Sequence, residues 1–100
     1  MATPEKKVKI KVCKILKSLD AYYFYASTNG YGSSGIPDIV ACYKGHFIGI
    51  ECKANGNKPT ALQQKNLNDI TERGGLALVI DENNIDMLQS ELEHWFRKVI

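Results

Sequence analysis

The first apolar residues of the chain recur at a helical interval. Val8, Val12, Ile15, Leu16 and Leu19 share one face of a 3.6-residue repeat. Thr3 suits an N-cap, and Pro4 and Glu5 suit a first turn, so a helix is predicted over 3–19. VKIKV also alternates like a strand, but the alternation stops at Cys13 while the helical period runs on to Leu19. YYFYAS (22–27), rich in aromatics, reads as a strand. TNGYGSSG (28–35) reads as a loop. DIVACY (38–43) and HFIGIEC (46–52) are strands joined by a tight turn at Lys44-Gly45. KANGNKP (53–59) is a second loop, after which Thr60 caps a helix to about Arg73, with Leu62, Leu67 and Ile70 on or near its inner side. Gly74-Gly75 ends it. LALVI (76–80) is a short buried strand, and a last helix is predicted over 84–98 with Ile85, Leu88, Leu92, Trp95 and Phe96 as its stripe.

The predicted order is α-β-β-β-α-β-α. The strand after the middle helix should pair parallel to the 46–52 strand through a right-handed crossover. That makes an α/β (α+β) fold: a central four-stranded mixed sheet flanked by helices, in a single domain over 1–100. A chain of 100 residues buries a modest core and is often helped by a partner chain. A hydrophobic fraction of 44% argues against disorder. No apolar run reaches the length of about 18 residues that spans a bilayer. MATPEKKVKIK lacks the apolar core of a signal peptide, so an intracellular, cytoplasmic protein is expected. Cys13, Cys42 and Cys52 show no metal-like spacing and read as small buried hydrophobes in a reducing compartment.

Net charge is only +2, but Lys6, Lys7, Lys9, Lys11, Lys14 and Lys17 crowd the start of the chain against Glu5 alone. Such a patch can track a phosphate backbone, and it can equally be a solvated helix face.

The hairpin GIPDIVACYKGHFIGIECK is nearly all apolar, yet carries Asp38, Glu51 and Lys53. Side chains alternate across a strand, so Glu51 and Lys53 share one side while Ile48, Ile50 and Cys52 take the other. Antiparallel pairing through the 44–45 turn sets Asp38 opposite Glu51. Two close carboxylates repel and raise each other's pKa, and a hard divalent cation removes the repulsion. Two carboxylates plus the backbone carbonyl of Cys52 suit Mg²⁺ or Mn²⁺. An ion so held can bind a phosphodiester oxygen together with a water, and Lys53 can orient that water or stabilise developing charge. The plainer alternative is a salt-bridged pair at the wet end of a sheet, and spacing alone leaves both open.

G-I-P-D, followed after twelve residues by E-C-K, resembles the PD-(D/E)xK nuclease signature. With KPTALQQKNLNDITERGGLALVI behind it, the layout is similar to the virus-type replication-repair nuclease (VRR-NUC) branch over nearly the whole chain. The resemblance implies a restriction-endonuclease-like core and a Mg²⁺- or Mn²⁺-dependent DNA endonuclease. It implies Asp38 and Glu51 as metal ligands and Lys53 as the catalytic lysine. It implies a supporting glutamate on the first helix, where Glu5 is the sole acid, and a glutamine on the helix after E-C-K. Gln63 fits that place best and Gln64 is its rival. The resemblance further implies a homodimer acting on branched DNA such as four-way (Holliday) junctions, in replication and repair, and suggests a viral or mobile-element source. The alternatives are a non-catalytic DNA-binding or recruitment module of the same fold, or a nuclease acting on free ends or RNA.

The loop 28–35 lacks the ending of a P-loop, but Tyr31, Ser33 and Ser34 can contact phosphates. Lys6, Lys9, Lys44 and Lys58 are further candidate DNA contacts. His46 and His94 have no partner at ligand spacing and read as structural or solvated. Segment 22–25 and the last helix are candidate dimer interfaces.

Overall fold

The computed structural model of the chain describes residues 2–26 and 35–99, with side chains described as far as Trp95. Tyr31, Ser33, Ser34 and the Phe96 side chain lie outside the described residues.

Helix α1 runs Pro4–Ser18. Thr3, in extended backbone, caps it: its Oγ1 accepts the Lys6 N–H at 3.1 Å. Capping satisfies a donor that the first helical turn leaves orphaned. Val8, Val12, Cys13 and Leu16 are buried on one face, as the repeat requires. The helix ends where Asp20 takes the left-handed conformation (φ 62°) and the Ala21 N–H returns to the Leu16 carbonyl.

Strands β1 (Tyr22–Tyr25), β2 (Ile39–Tyr43) and β3 (His46–Cys52) form an antiparallel meander. The β2–β3 turn places Lys44 (φ 50°) and Gly45 (φ 83°) both at positive φ, the type I′ geometry that matches strand twist. The register that follows pairs Ile39 with Ile50. Helix α2 (Ala61–Glu72) then crosses over, and β4 (Leu76–Ile80) pairs parallel to β3, with Glu51 opposite Val79. A parallel pair needs such a crossover because no tight turn can make it. The sheet order is β1-β2-β3-β4.

The two faces of the sheet differ. Ile39, Ala41, Tyr43, Ile48, Ile50, Cys52 and Ile80 pack into one core with Val8, Val12 and Leu16 of α1 and Leu88 and Leu92 of α3 (Leu88–Val99). Full burial of one such leucine or isoleucine contributes about 2 kcal/mol. On the other face Ile70 of α2 lies over Gly49 and Gly75, so tightly that a Cβ on Gly49 would sit 2.6 Å from Ile70 Cδ1. Among the described residues no helix is long and apolar enough to cross a membrane.

Several expectations need correction. β1 ends at Tyr25, although the Ala26 N–H still reaches the Asp38 carbonyl at 2.9 Å. The last helix does not start as an α-helix at 84: a 3₁₀ turn, Ile85–Met87, precedes α3. Side chains have captured the backbone there, because Asp81 Oδ1 accepts from the Asn83 and Asn84 N–H groups while the Asn84 carboxamide bridges Asp81 N and the Val79 carbonyl. Leu62 is exposed, lying against the Gly35 backbone rather than in the core. Cys13 and Cys52 are buried but Cys42 is exposed, since it alternates away from Ala41 and Tyr43 onto the other face. His46 stacks edge-on against Trp95, with ring centroids 4.8 Å apart.

Candidate metal centre

Three elements converge at the open end of the β2–β3 hairpin. Asp38 immediately precedes β2, Glu51 is the penultimate residue of β3, and Glu5 lies in the first turn of α1. One carboxylate oxygen from each of Glu5, Asp38 and Glu51 lies within 4.8 Å of the others. The hairpin register brings the two strand acids together; the packing of α1 on the core brings the third.

The surroundings divide the oxygens. Asp38 Oδ2 accepts the Cys52 N–H at 2.8 Å, and Asp38 Oδ1 faces Lys9 Nζ at 3.5 Å. Glu51 Oε2 faces Lys53 Nζ at 3.5 Å. Glu51 Oε1 is buried with no hydrogen-bond partner, in a residue only 1% exposed. Burial, then the Asp38 carboxylate, pushes the Glu51 carboxyl up from 4.5 to about 7, with Lys53 only partly opposing them. An unpartnered buried carboxylate oxygen is costly, and a proton or a bound cation relieves that cost. Three carboxylates are the donor set that Mg²⁺ or Mn²⁺ accepts. The residues present therefore fit a hard divalent cation.

A cleft of about 520 Å³ opens beside the acids between α1 and the end of β1, lined by Thr3, Glu5, Lys6, Lys9, Tyr25, Ala26 and Asp38. A hydrogen bond with Cys13, then burial, pushes the Tyr25 hydroxyl up to about 12, so it stays protonated at any physiological pH. A separate groove of about 480 Å³ between α2 and the sheet is apolar, lined by Ile36, Pro37, Val40, Phe47 and Ile70 among others, and does not reach the acids.

Solved structures share this arrangement of elements. A "VRR_NUC domain" structure superposes with a TM-score of 0.75 at 22% identity, covering 89% of this chain and 97% of that one. A "VRR_NUC domain protein" gives 0.66 at 20% identity, over 97% and 91% of the two chains. The fold is that of the VRR_NUC domain. No family model matches the sequence, and no curated protein matches it.

Within this VRR_NUC fold the sequence-predicted residues separate into groups. Asp38, Glu51, Lys53 and Glu5 come together. Cys52 contributes its N–H to Asp38, and burial pushes its thiol pKa up, so the side chain is an inert spacer between Glu51 and Lys53. Lys6 and Lys9 line the adjoining cleft. The Gln63 carboxamide oxygen accepts the Thr60 N–H at 2.9 Å while Thr60 Oγ1 accepts the Gln63 N–H, a complete capping box for α2. Gln64 donates to Asn68 along the same helix. Lys58 is exposed in the loop before α2. Lys44 sits in the β2–β3 turn at the far end of the hairpin, about 20 Å along the strand from Asp38. Its amine lies 5.5 Å from the Tyr43 ring centre. Sequence reasoning missed the Lys9–Asp38 contact, although Lys9 stands four residues after Glu5 and so shares its helix face.

Proposed function

We propose that this protein is a Mg²⁺- or Mn²⁺-dependent endonuclease that hydrolyses DNA phosphodiester bonds. The observation that carries the reading is the buried, unpartnered Glu51 Oε1 inside a three-carboxylate cluster, with Lys53 beside it. A protein that only bound DNA would gain nothing from acids facing a polyanion. The nuclease signature around Asp38, Glu51 and Lys53 and the VRR_NUC fold of the structural neighbours support the same reading.

Asp38, Glu51 and Glu5 would hold the cation, with the Cys52 carbonyl as a further ligand. When bound, the metal supplies Lewis-acid stabilisation of a phosphate oxygen and lowers the pKa of an attacking water. Lys53, half-buried and already paired with Glu51, orients that water and stabilises charge on the phosphorus oxygens as they develop it. Cys52 fixes Asp38 through its N–H, which keeps one carboxylate oxygen turned toward the site. Gln63 is assigned to the α2 cap rather than to the reaction. Lys6 and Lys9 contact the DNA backbone from the cleft. The substrate is branched or junction DNA rather than a base sequence, as the resemblance to single-domain nucleases of this type implies. A homodimer suits two strands of a branched duplex. Tyr22 (72% exposed) and Phe24 (48%) on the edge strand β1 favour such pairing.

Labelled four-way junction, flap and linear DNA, and a matched RNA, incubated with Mg²⁺, Mn²⁺ or EDTA, test the reading. The wild type should nick junction or flap DNA with either metal and not in EDTA. Lys53→Ala should lower the rate by about 10²–10³-fold while still binding DNA. Tight DNA binding with no cleavage of any substrate in either metal would favour a recruitment module instead.

A further inference from the structure

The ion pair between Lys9 and Asp38 occupies an oxygen that the proposed cation would need. Asp38 Oδ2 is taken by the Cys52 N–H, Asp38 Oδ1 by Lys9, and Glu51 Oε2 by Lys53. Only Glu51 Oε1 lacks a partner among the oxygens of these two acids. A hard divalent ion prefers several oxygen ligands, so it would draw on Asp38 as well as on Glu5 and Glu51. Lys9 therefore competes with any such ion for Asp38. Because Lys9 follows Glu5 by one helical turn, α1 delivers both a ligand and its competitor. The contact is easy to give up, since the two side chains are 30% and 21% exposed and partly exposed ion pairs are weak. A displaced Lys9 amine, on its flexible stem, remains in the cleft it shares with Lys6 and Tyr25, on the approach to the acids.

Resting on the metal-dependent reading above, the geometry points to Lys9 as a displaceable counter-ion: it holds Asp38 in the metal-free chain and transfers to a phosphate of the nucleic acid when a divalent cation takes Asp38. Metal and DNA then bind cooperatively beyond what their direct contact provides. DNA gives Lys9 a new partner and so relieves the competition, and by linkage the metal strengthens DNA binding by the same factor.

Calorimetric titration of Mn²⁺ into the metal-free full chain, with and without junction DNA, tests this. Without DNA, Lys9→Met should bind Mn²⁺ about tenfold more tightly than wild type, because it loses both a competitor and a nearby positive charge. Lys6→Met loses the same charge from the same cleft but leaves the Asp38 pair in place, and should gain less than about threefold. Lys9→Gln, polar but uncharged, should reproduce the Lys9→Met tightening, and melting temperatures near wild type should accompany both. DNA should enhance Mn²⁺ affinity less in Lys9→Met than in wild type. In Ca²⁺, the slope of log affinity for DNA against log salt should fall by about one in that variant. Equal Mn²⁺ affinity in Lys9→Met and wild type, or an equal gain in Lys6→Met, overturns the counter-ion role while leaving the metal site standing. If wild type and Glu51→Gln both fail to bind Mn²⁺, the metal reading itself falls, and the counter-ion role with it.

Discussion

Replacing Glu51 with glutamine should stabilise the metal-free protein at neutral and alkaline pH. The wild-type residue is 1% exposed, one of its oxygens has no partner, and its pKa is raised from 4.5 to about 7. A shift of that size corresponds to about 3 kcal/mol of unfavourable ionisation in the folded state. Glutamine keeps the shape and removes the charge. It also leaves Lys53 without its anionic partner, which gives back part of the gain. A net stabilisation of about 1–2 kcal/mol remains, worth about 5–10 °C in Tm for a chain of this length.

The pH dependence follows from the raised pKa. Below about 4.5 the carboxyl is protonated both folded and unfolded, and carries no penalty. Between 4.5 and about 7 the folded chain keeps a proton that the unfolded chain has released, so wild-type stability falls as pH rises. Above that window the penalty is complete. The difference between variant and wild type should therefore open from near zero in mild acid to its full size just above neutrality, then stay flat. Thermal melts in EDTA across this range measure it. Saturating Mn²⁺ should reverse the order, raising the wild-type Tm and leaving the variant nearly unmoved. A variant that melts below wild type at alkaline pH, or a difference that ignores pH, would refute the view that Glu51 is an energetic liability kept for a cation.

Gln63→Ala should lose half of the α2 capping box and about 1 kcal/mol of stability, seen as a lower urea midpoint. Its cleavage rate should stay within about twofold of wild type, whereas a hundredfold loss would give Gln63 a part in the reaction. Gly35→Ala should cost about 2 kcal/mol or more, because Gly35 has φ 80° and a Cβ there would lie 2.9 Å from the Leu62 backbone carbon. That substitution presses the segment leading to Asp38 against the start of α2, so the Mn²⁺ affinity should fall along with the denaturation midpoint.

Much of the architecture was readable because its cues are local. The Lys44-Gly45 turn fixes the β2–β3 register, and that register brings Asp38 beside Glu51. The bounds of β3 and β4 followed from continuous apolar runs between turn residues. Where the reading missed, a contact between distant residues or a competing side chain had decided. Cys42 is exposed because α2 lies over the β3–β4 side of its face, where Gly49 and Gly75 meet Ile70. The 3₁₀ turn before α3 comes from the Asp81–Asn84 hydrogen bonds, which a hydrophobic stripe does not register.

The same division runs through the site. Alternation, turn chemistry and the spacing of Asp38, Glu51 and Lys53 along one hairpin determined that two acids and an amine share a rim, since a two-residue turn leaves one pairing for the strands. Which oxygens are taken and which is left open was decided only by tertiary structure. The packing of α1 on the core brings Glu5 and Lys9 to the same carboxylates, and burial beneath them strips Glu51 of water. Desolvation and the meeting of separate elements depend on how whole layers stack, and no local pattern in the chain carries that information.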